Sequence, residues 1–146
     1  MKRKRTGPEP VLVVGSVAFD SVVTPSGSVS DALGGSAVYF ACACRLFAPV
    51  RMIGVVGSDF PEEHLCSLRE MGVDLSGLEI REGSTFRWAG SYLKDLNEAQ
   101  TLDVCLNVMA HYLPKIPPAC RSSRYVFLAN IDPDVQLKVL DGLDSP

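Results

Sequence analysis

Two short apolar runs rich in β-branched residues constrain this chain most: VLVVG at 11–15 and RMIGVVG at 51–57. Each closes on glycine, and the largely apolar stretch between them at 36–47 is of helix length. A short run of apolar residues without polar alternation suits a strand buried on both faces. Two such strands joined by a helix pair as parallel neighbours, because the helical crossover carries the chain back to the edge where the first strand began. A third run, YVFLAN at 125–130, reads as one more buried strand, and Pro133 after Asp132 opens a helix. Ser58 to Glu63 reads as the start of another helix, with a cap residue, a proline and two carboxylates at its positive end, running to about Met71 and stopping at Gly72. The pattern predicts an α/β fold: a mostly parallel, Rossmann-like sheet flanked by helices.

Two other stretches alternate instead. Residues 16–32 are polar and alternating around the turn signal Pro25-Ser26-Gly27, which predicts an exposed hairpin. From Leu78 to Val108 the segments LEIRE, TFRWAGSYLKD and QTLDVCLNV have period two. Such alternation predicts antiparallel strands with one open face, hence a small flanking sheet beside the main one.

Composition narrows the function classes. At 146 residues with 47% apolar content the chain can bury one core. Fourteen basic against seventeen acidic residues give a net charge of −3, so there is no basic footprint for a nucleic-acid partner. The basic start, MKRKR, belongs to a disordered, solvated tail over residues 1–10. No apolar run approaches the roughly 20 residues of a membrane span, and no signal-peptide core follows the basic start, so a cytoplasmic protein without membrane contact is expected. The five cysteines are scattered and lack paired spacing, which suggests neither a disulfide framework nor a metal site; Cys42 and Cys44 read as small core residues of a helix. Tyr39, Phe40 and Phe47 read as a core stripe on the same helix. The segment Gly15 to Asp20 lacks the G-x-G-x-x-G spacing and opens no helix, so it is not a dinucleotide fingerprint.

Several polar or glycine positions fall just beyond strand ends: Asp20, the pair Gly34-Gly35 before the first helix, and Asn130 with Asp132. In open parallel sheets ligands bind in the crevice outside those ends. A carboxylate and an amide there suit a polyhydroxylated ligand, and a glycine pair lets helix N–H groups come close to it. Taken singly, Asp20 and Asp132 each have a second reading as the cap of a turn or helix.

Taken together, VLVVGSVAFDSVVTP, LGGSAVYFACACRLF, VRMIGVVGSDFPEEHLCSLREMGVDLSGL and YVFLANIDP resemble, in order and spacing, the N-terminal portion of the ribokinase-like, PfkB-type carbohydrate kinases. The resemblance covers about residues 11 to 144. It implies a sugar or nucleoside kinase using ATP and magnesium, with Asp20, Gly34, Gly35, Asn130 and Asp132 as substrate contacts. It also implies a β-lid over about 17–33 and 79–108, with Arg87, Asp95 and Asn97 as polar lid candidates and a homodimer through the lid as a possible assembly. Two positions depart from the family pattern: Tyr39 and Ala18 stand where asparagines are frequent, which argues against ribose itself. The family's Gly-Ala-Gly-Asp type motif, with its catalytic base and most of the ATP site, has no counterpart here. The expectation is therefore a fragment without catalytic residues, inactive as a kinase and binding neither ATP nor magnesium alone. An ending at Asp144-Ser145-Pro146, after a helix where another parallel strand is expected, reads as a truncation; a non-catalytic sugar-binding or dimerising module is the alternative.

Overall fold

The computed structural model describes residues 7–93 and 95–144. The MKRKR part of the basic tail, Lys94 within the expected lid, and Ser145 and Pro146 lie outside the described residues.

The chain forms β1 (Val11–Val14), β2 (Ala18–Thr24), β3 (Gly27–Gly34), α1 (Ser36–Cys44), β4 (Val50–Gly57), α2 (Glu62–Glu70) and β5 (Val73–Arg81). There follow β6 (Phe86–Ser91), β7 (Gln100–Cys105), a 3-10 turn at Asn107–Met109, α3 (Pro118–Arg121), β8 (Tyr125–Leu128) and α4 (Pro133–Asp141). The main sheet has the order β5-β4-β1-β8 and is parallel throughout.

Period-two packing explains why its central strands read as unbroken apolar runs. Val13, Val50, Met52 and Val56 face α1 and α2 in one core cluster with Ala37, Val38, Ala41, Leu65 and Leu68. Leu12, Val14 and Ile53 face the other way, onto Cys120 and Val139, while Val55 meets Tyr112 and Val135. Both faces are dry over Leu12–Val14 and Met52–Val56, so those positions are apolar or glycine, whereas Arg51 at the start of β4 is only partly buried and donates to the Ala119 carbonyl. Cys42 and Cys44 pack against the first cluster, as the sequence suggested.

Three expectations change. LEIRE is not part of the flanking sheet: it lies in β5, parallel to β4 at the edge of the main sheet. The side chains of β5 alternate at the start because Val73 and Leu75 pack on the core while Asp74 and Ser76 point to a face that is left open. YVFLAN is likewise an edge strand, with Tyr125 and Phe127 half exposed and the Phe127 ring stacked on Phe40 at 3.9 Å. Finally, α2 begins only at Glu62. Pro61 is its N-cap residue, and Asp59 turns away from the helix toward Thr85 and Arg87.

The second sheet has the order β3-β2-β6-β7. The β2–β3 hairpin and the β6–β7 pair are antiparallel, but β2 and β6 run parallel, so this small sheet is mixed. A polar junction ties it to the main sheet. Gly57 N–H donates to the Thr85 hydroxyl at 2.9 Å, and the Thr85 hydroxyl and amide both donate to Asp59 Oδ1 at 2.7 Å. Arg87 of β6 reaches Asp59 Oδ2 at 3.1 Å, pairs with Asp31 of β3, and lies 4.7 Å above the Phe19 ring.

Candidate functional site

All four strands of the main sheet end on the same side. From β1 the chain proceeds to β4 and β5 on one flank, whereas β8 lies on the other. The strand order therefore reverses at β1, which opens a crevice beyond the ends of β1 and β8. The mixed sheet stands beside this opening, because β2 follows β1 after three residues. The resulting cleft of about 270 Å³ is lined by Ser16, Asp20, Gly35, Ser36, Tyr39, Phe86, Trp88 and Asn130.

Each wall has a local cause. Gly35, at φ 96° and ψ 150°, occupies a region open to glycine, and a Cβ there would collide with the Ser16 carbonyl. This tight passage lets Ser16 cap α1: its hydroxyl accepts from Ser36 N–H at 3.0 Å and its carbonyl from Ala37 N–H at 3.0 Å. Ser36 Oγ in turn accepts from the Ser16 amide at 3.2 Å and donates to the Asn130 carbonyl at 2.9 Å. The ends of β1 and β8 and the start of α1 are thus locked together. Gly34 serves differently. The Asp20 side chain lies directly on it, in the space a Cβ would fill.

Asp20, Gly35 and Asn130, read from the sequence as strand-end positions, therefore meet in one cleft, with Gly34 beneath Asp20. The helix N–H groups that the glycine pair was expected to offer to a ligand are instead taken by Ser16 for residues 36 and 37. Asp132 is outside the lining of this cleft; its carboxylate caps α4 by accepting from Asp134 N–H at 2.8 Å, the second reading given for it above. Arg87 is committed to Asp31 and Asp59. Asp95 accepts from Asn97 N–H at 2.8 Å and from its side-chain amide at 3.0 Å; Asp95 lines a separate hollow near the β6–β7 turn.

The structure adds members that sequence reasoning missed. Tyr39 is not core: it is 58% exposed, and its hydroxyl donates to Asp20 Oδ2 at 3.0 Å. Partial burial, and then the bond and charge of Asp20, push the Tyr39 phenol up to about 12, so it remains a donor near neutrality. Phe86 and Trp88, two apart on β6, are on the cleft side of the mixed sheet. Phe47, the other expected core ring, is exposed.

The cleft chemistry is a carboxylate, a phenol, two serine hydroxyls and an amide together with two aromatic rings, Asp20 and Trp88 being register partners on neighbouring strands of the mixed sheet. No basic side chain is among its lining residues, and among the described residues no cluster of three or more His, Cys, Asp or Glu could hold a metal ion. These residues do not fit a nucleoside triphosphate with its magnesium, whose phosphates need cationic or main-chain N–H partners. Among the described residues no helix is long and apolar enough to cross a membrane.

No family model matches the chain. It is 28% identical over 134 residues to a cytidine kinase of Thermococcus kodakarensis, a match that covers 91% of this chain and 48% of that protein. Among solved structures, the nucleoside kinase of Methanocaldococcus jannaschii, a member of the ribokinase family, aligns with a TM-score of 0.70 at 20% identity, covering 94% of this chain and 50% of that one. The ribokinase of Cryptococcus neoformans in complex with ADP aligns at 0.69 and 21%, covering 94% and 46%. The chain spans about half the length of the relatives it matches.

Proposed function

Given a ribokinase-like fold over half the length of its relatives, we propose that this chain supplies the substrate-holding part of an ATP-dependent kinase. That kinase would phosphorylate a hydroxyl of a sugar or nucleoside. One observation carries the reading: Asp20, Ser36 and Asn130, far apart in sequence, line a single crevice at the point where strand order reverses. Asp20 is the only carboxylate among the lining residues, and its oxygens can accept hydrogen bonds from substrate hydroxyls. The Asp20 and Tyr39 oxygens would hold substrate hydroxyls in direction, and Asn130 can both donate and accept across the opening. Positioning is the part of phosphoryl transfer that these residues can supply. The triphosphate, its magnesium and the base that takes the hydroxyl proton have no matching residues in this cleft, so the described chain is expected to bind substrate and not to turn it over.

The test is titration calorimetry with a panel of sugars and nucleosides, on the chain and on Asp20→Ala. Binding that weakens by at least tenfold in the variant, without ATP consumption by either, supports the reading. Equal binding in both proteins removes Asp20 from the site and the reading with it. A non-catalytic module that dimerises through the lid is the second reading, favoured by exposed Val29 on β3 and Leu102 and Val104 on β7. Sedimentation separates the two, because a lid dimer dissociates when Leu102 and Val104 are made polar.

A further inference from the structure

From the charge balance of the cleft we infer that its ligand carries a positively charged nitrogen: a polyol with one ammonium group, as in an amino sugar or an aminocyclitol. This rests on reading the cleft as the site that holds substrate hydroxyls, and it adds the charge of the substrate.

Among the described residues Asp20 belongs to no ion pair, and every other residue lining the cleft is uncharged. Its hydrogen-bond partner is the Tyr39 hydroxyl, 3.0 Å from Oδ2. The nearest cation along the lining strand is Arg87, between Phe86 and Trp88 on β6. Strand alternation turns it to the opposite face of the mixed sheet, where Asp31, Asp59 and the Phe19 ring hold it. The carboxylate therefore faces the cleft without a counter-charge.

The neighbours of Asp20 favour the same charge. Register sets Trp88 beside Asp20, and Phe86 beside Ala18, on the face of the mixed sheet that lines the cleft. Trp88 has given its indole N–H to Thr101 Oγ1 at 3.3 Å, and Phe86 has no hydrogen-bonding group. What these two side chains offer a ligand is the electron-rich face of a ring, which attracts cations. A neutral ligand, by contrast, leaves the carboxylate worse placed. Asp20 Oδ2 already lies against Gly34, in space that a Cβ would fill, and is bonded to Tyr39. A ligand seated on Oδ1 removes water from the charge, and a neutral hydroxyl returns a hydrogen bond without neutralising it. An ammonium group returns both. An anion meets repulsion from Asp20 with no basic side chain to offset it.

Calorimetry on the full chain with matched ligands tests the charge. The probes are glucose with glucosamine, galactose with galactosamine, and inositol with an aminodeoxyinositol, so that the sugar and cyclitol frames are separated. N-acetylglucosamine controls for size without charge, and gluconate supplies the opposite charge. In the pair that binds, the amine should bind roughly tenfold to a hundredfold more tightly than its neutral parent, the usual worth of a charge-assisted hydrogen bond. The N-acetyl form should show no such gain, and gluconate should not bind. Added sodium chloride should weaken the amine and spare the parent. Asp20→Asn should bring the amine down to its parent, and Trp88→Leu should narrow their difference about twofold to fivefold. Neutral parents binding as tightly as their amines, with sensitivity to Asp20→Ala retained, would overturn the charge assignment and leave the hydroxyl site standing. Absence of binding by every probe at millimolar concentration would overturn both. The comparison of ligands on the unaltered protein holds even if a variant fails to fold.

Discussion

Replacing Gly35 by alanine tests the architecture of the cleft most directly, because strain and collision act there together. The backbone at φ 96° and ψ 150° is a region that side chains avoid, at about 1–3 kcal/mol. The added Cβ would strike the Ser16 carbonyl and lie 2.9 Å from Ala18 N, and neither group can rotate away as a side chain would. Relief requires moving the Ser16 main chain, which breaks its two bonds to the α1 N-terminus, each worth about 1 kcal/mol. Alanine also restricts the unfolded chain, which returns about 0.4–1 kcal/mol. The net loss is about 2–4 kcal/mol, against about 7–20 kcal/mol expected for a domain of 146 residues. With a urea slope of about 1–3 kcal/mol per molar, the midpoint should fall by about 1 M or more. Gly72→Ala is the control: φ is +82° but nothing lies within 4 Å, so strain acts alone and costs about 1 kcal/mol. Equal midpoints for the two variants would refute the close Ser16 contact, and with it the account of how the cleft is built.

Two further predictions concern the junction between the sheets. Burial acts to raise the Asp59 carboxyl, but bonds from the Thr85 hydroxyl and amide and from Arg87 outweigh it and hold the group below the ordinary aspartate range. Its contribution is therefore complete above the unfolded value near 3.9 and is lost as pH falls from there through the lowered folded value. Asp59→Asn should flatten the stability profile in that acid window, as read by urea midpoints at successive pH; an unchanged slope would exclude Asp59 as the source. Arg87→Ala should raise amide hydrogen exchange in the β2–β3 hairpin about fivefold to thirtyfold, from the loss of two partly exposed ion pairs and a ring contact, while β1 and β4 stay protected. Uniform acceleration across both sheets would mean that Arg87 supports global stability and does not clasp the mixed sheet.

What the sequence reveals of the fold depends on how each strand is covered. Strands β1 and β4 are legible because both their faces are dry, which leaves one pattern available. Strand β5 misleads because period two records a partly solvated face and carries no information about the direction of the partner; an edge strand in a parallel sheet and an antiparallel strand look alike. Strand β8 misleads in the opposite sense. Its four residues are all apolar, yet Tyr125 and Phe127 are half exposed, because nothing among the described residues pairs along its outer edge.

The site divides along the same physical line. Asn130 is legible because a parallel strand delivers whatever follows it to one edge of the sheet, and Asp20 and Gly35 because the hairpin β2–β3 leaves β1 and returns to α1 at that same edge. Asp132 also follows β8, but the residue before a proline-opened helix is a cap position, and the local bond to Asp134 N–H claims its carboxylate. Sequence position cannot express that competition. Tyr39 is hidden for another reason: on α1 it belongs to an apolar stripe, and helical period does not tell whether a ring faces the core or the mouth of a crevice beside it. The signal that was available is in TFRWAG. Phe86 and Trp88 share a face by strand period, and Gly90 two residues further on leaves that face bare, so an indole can lie flat across it.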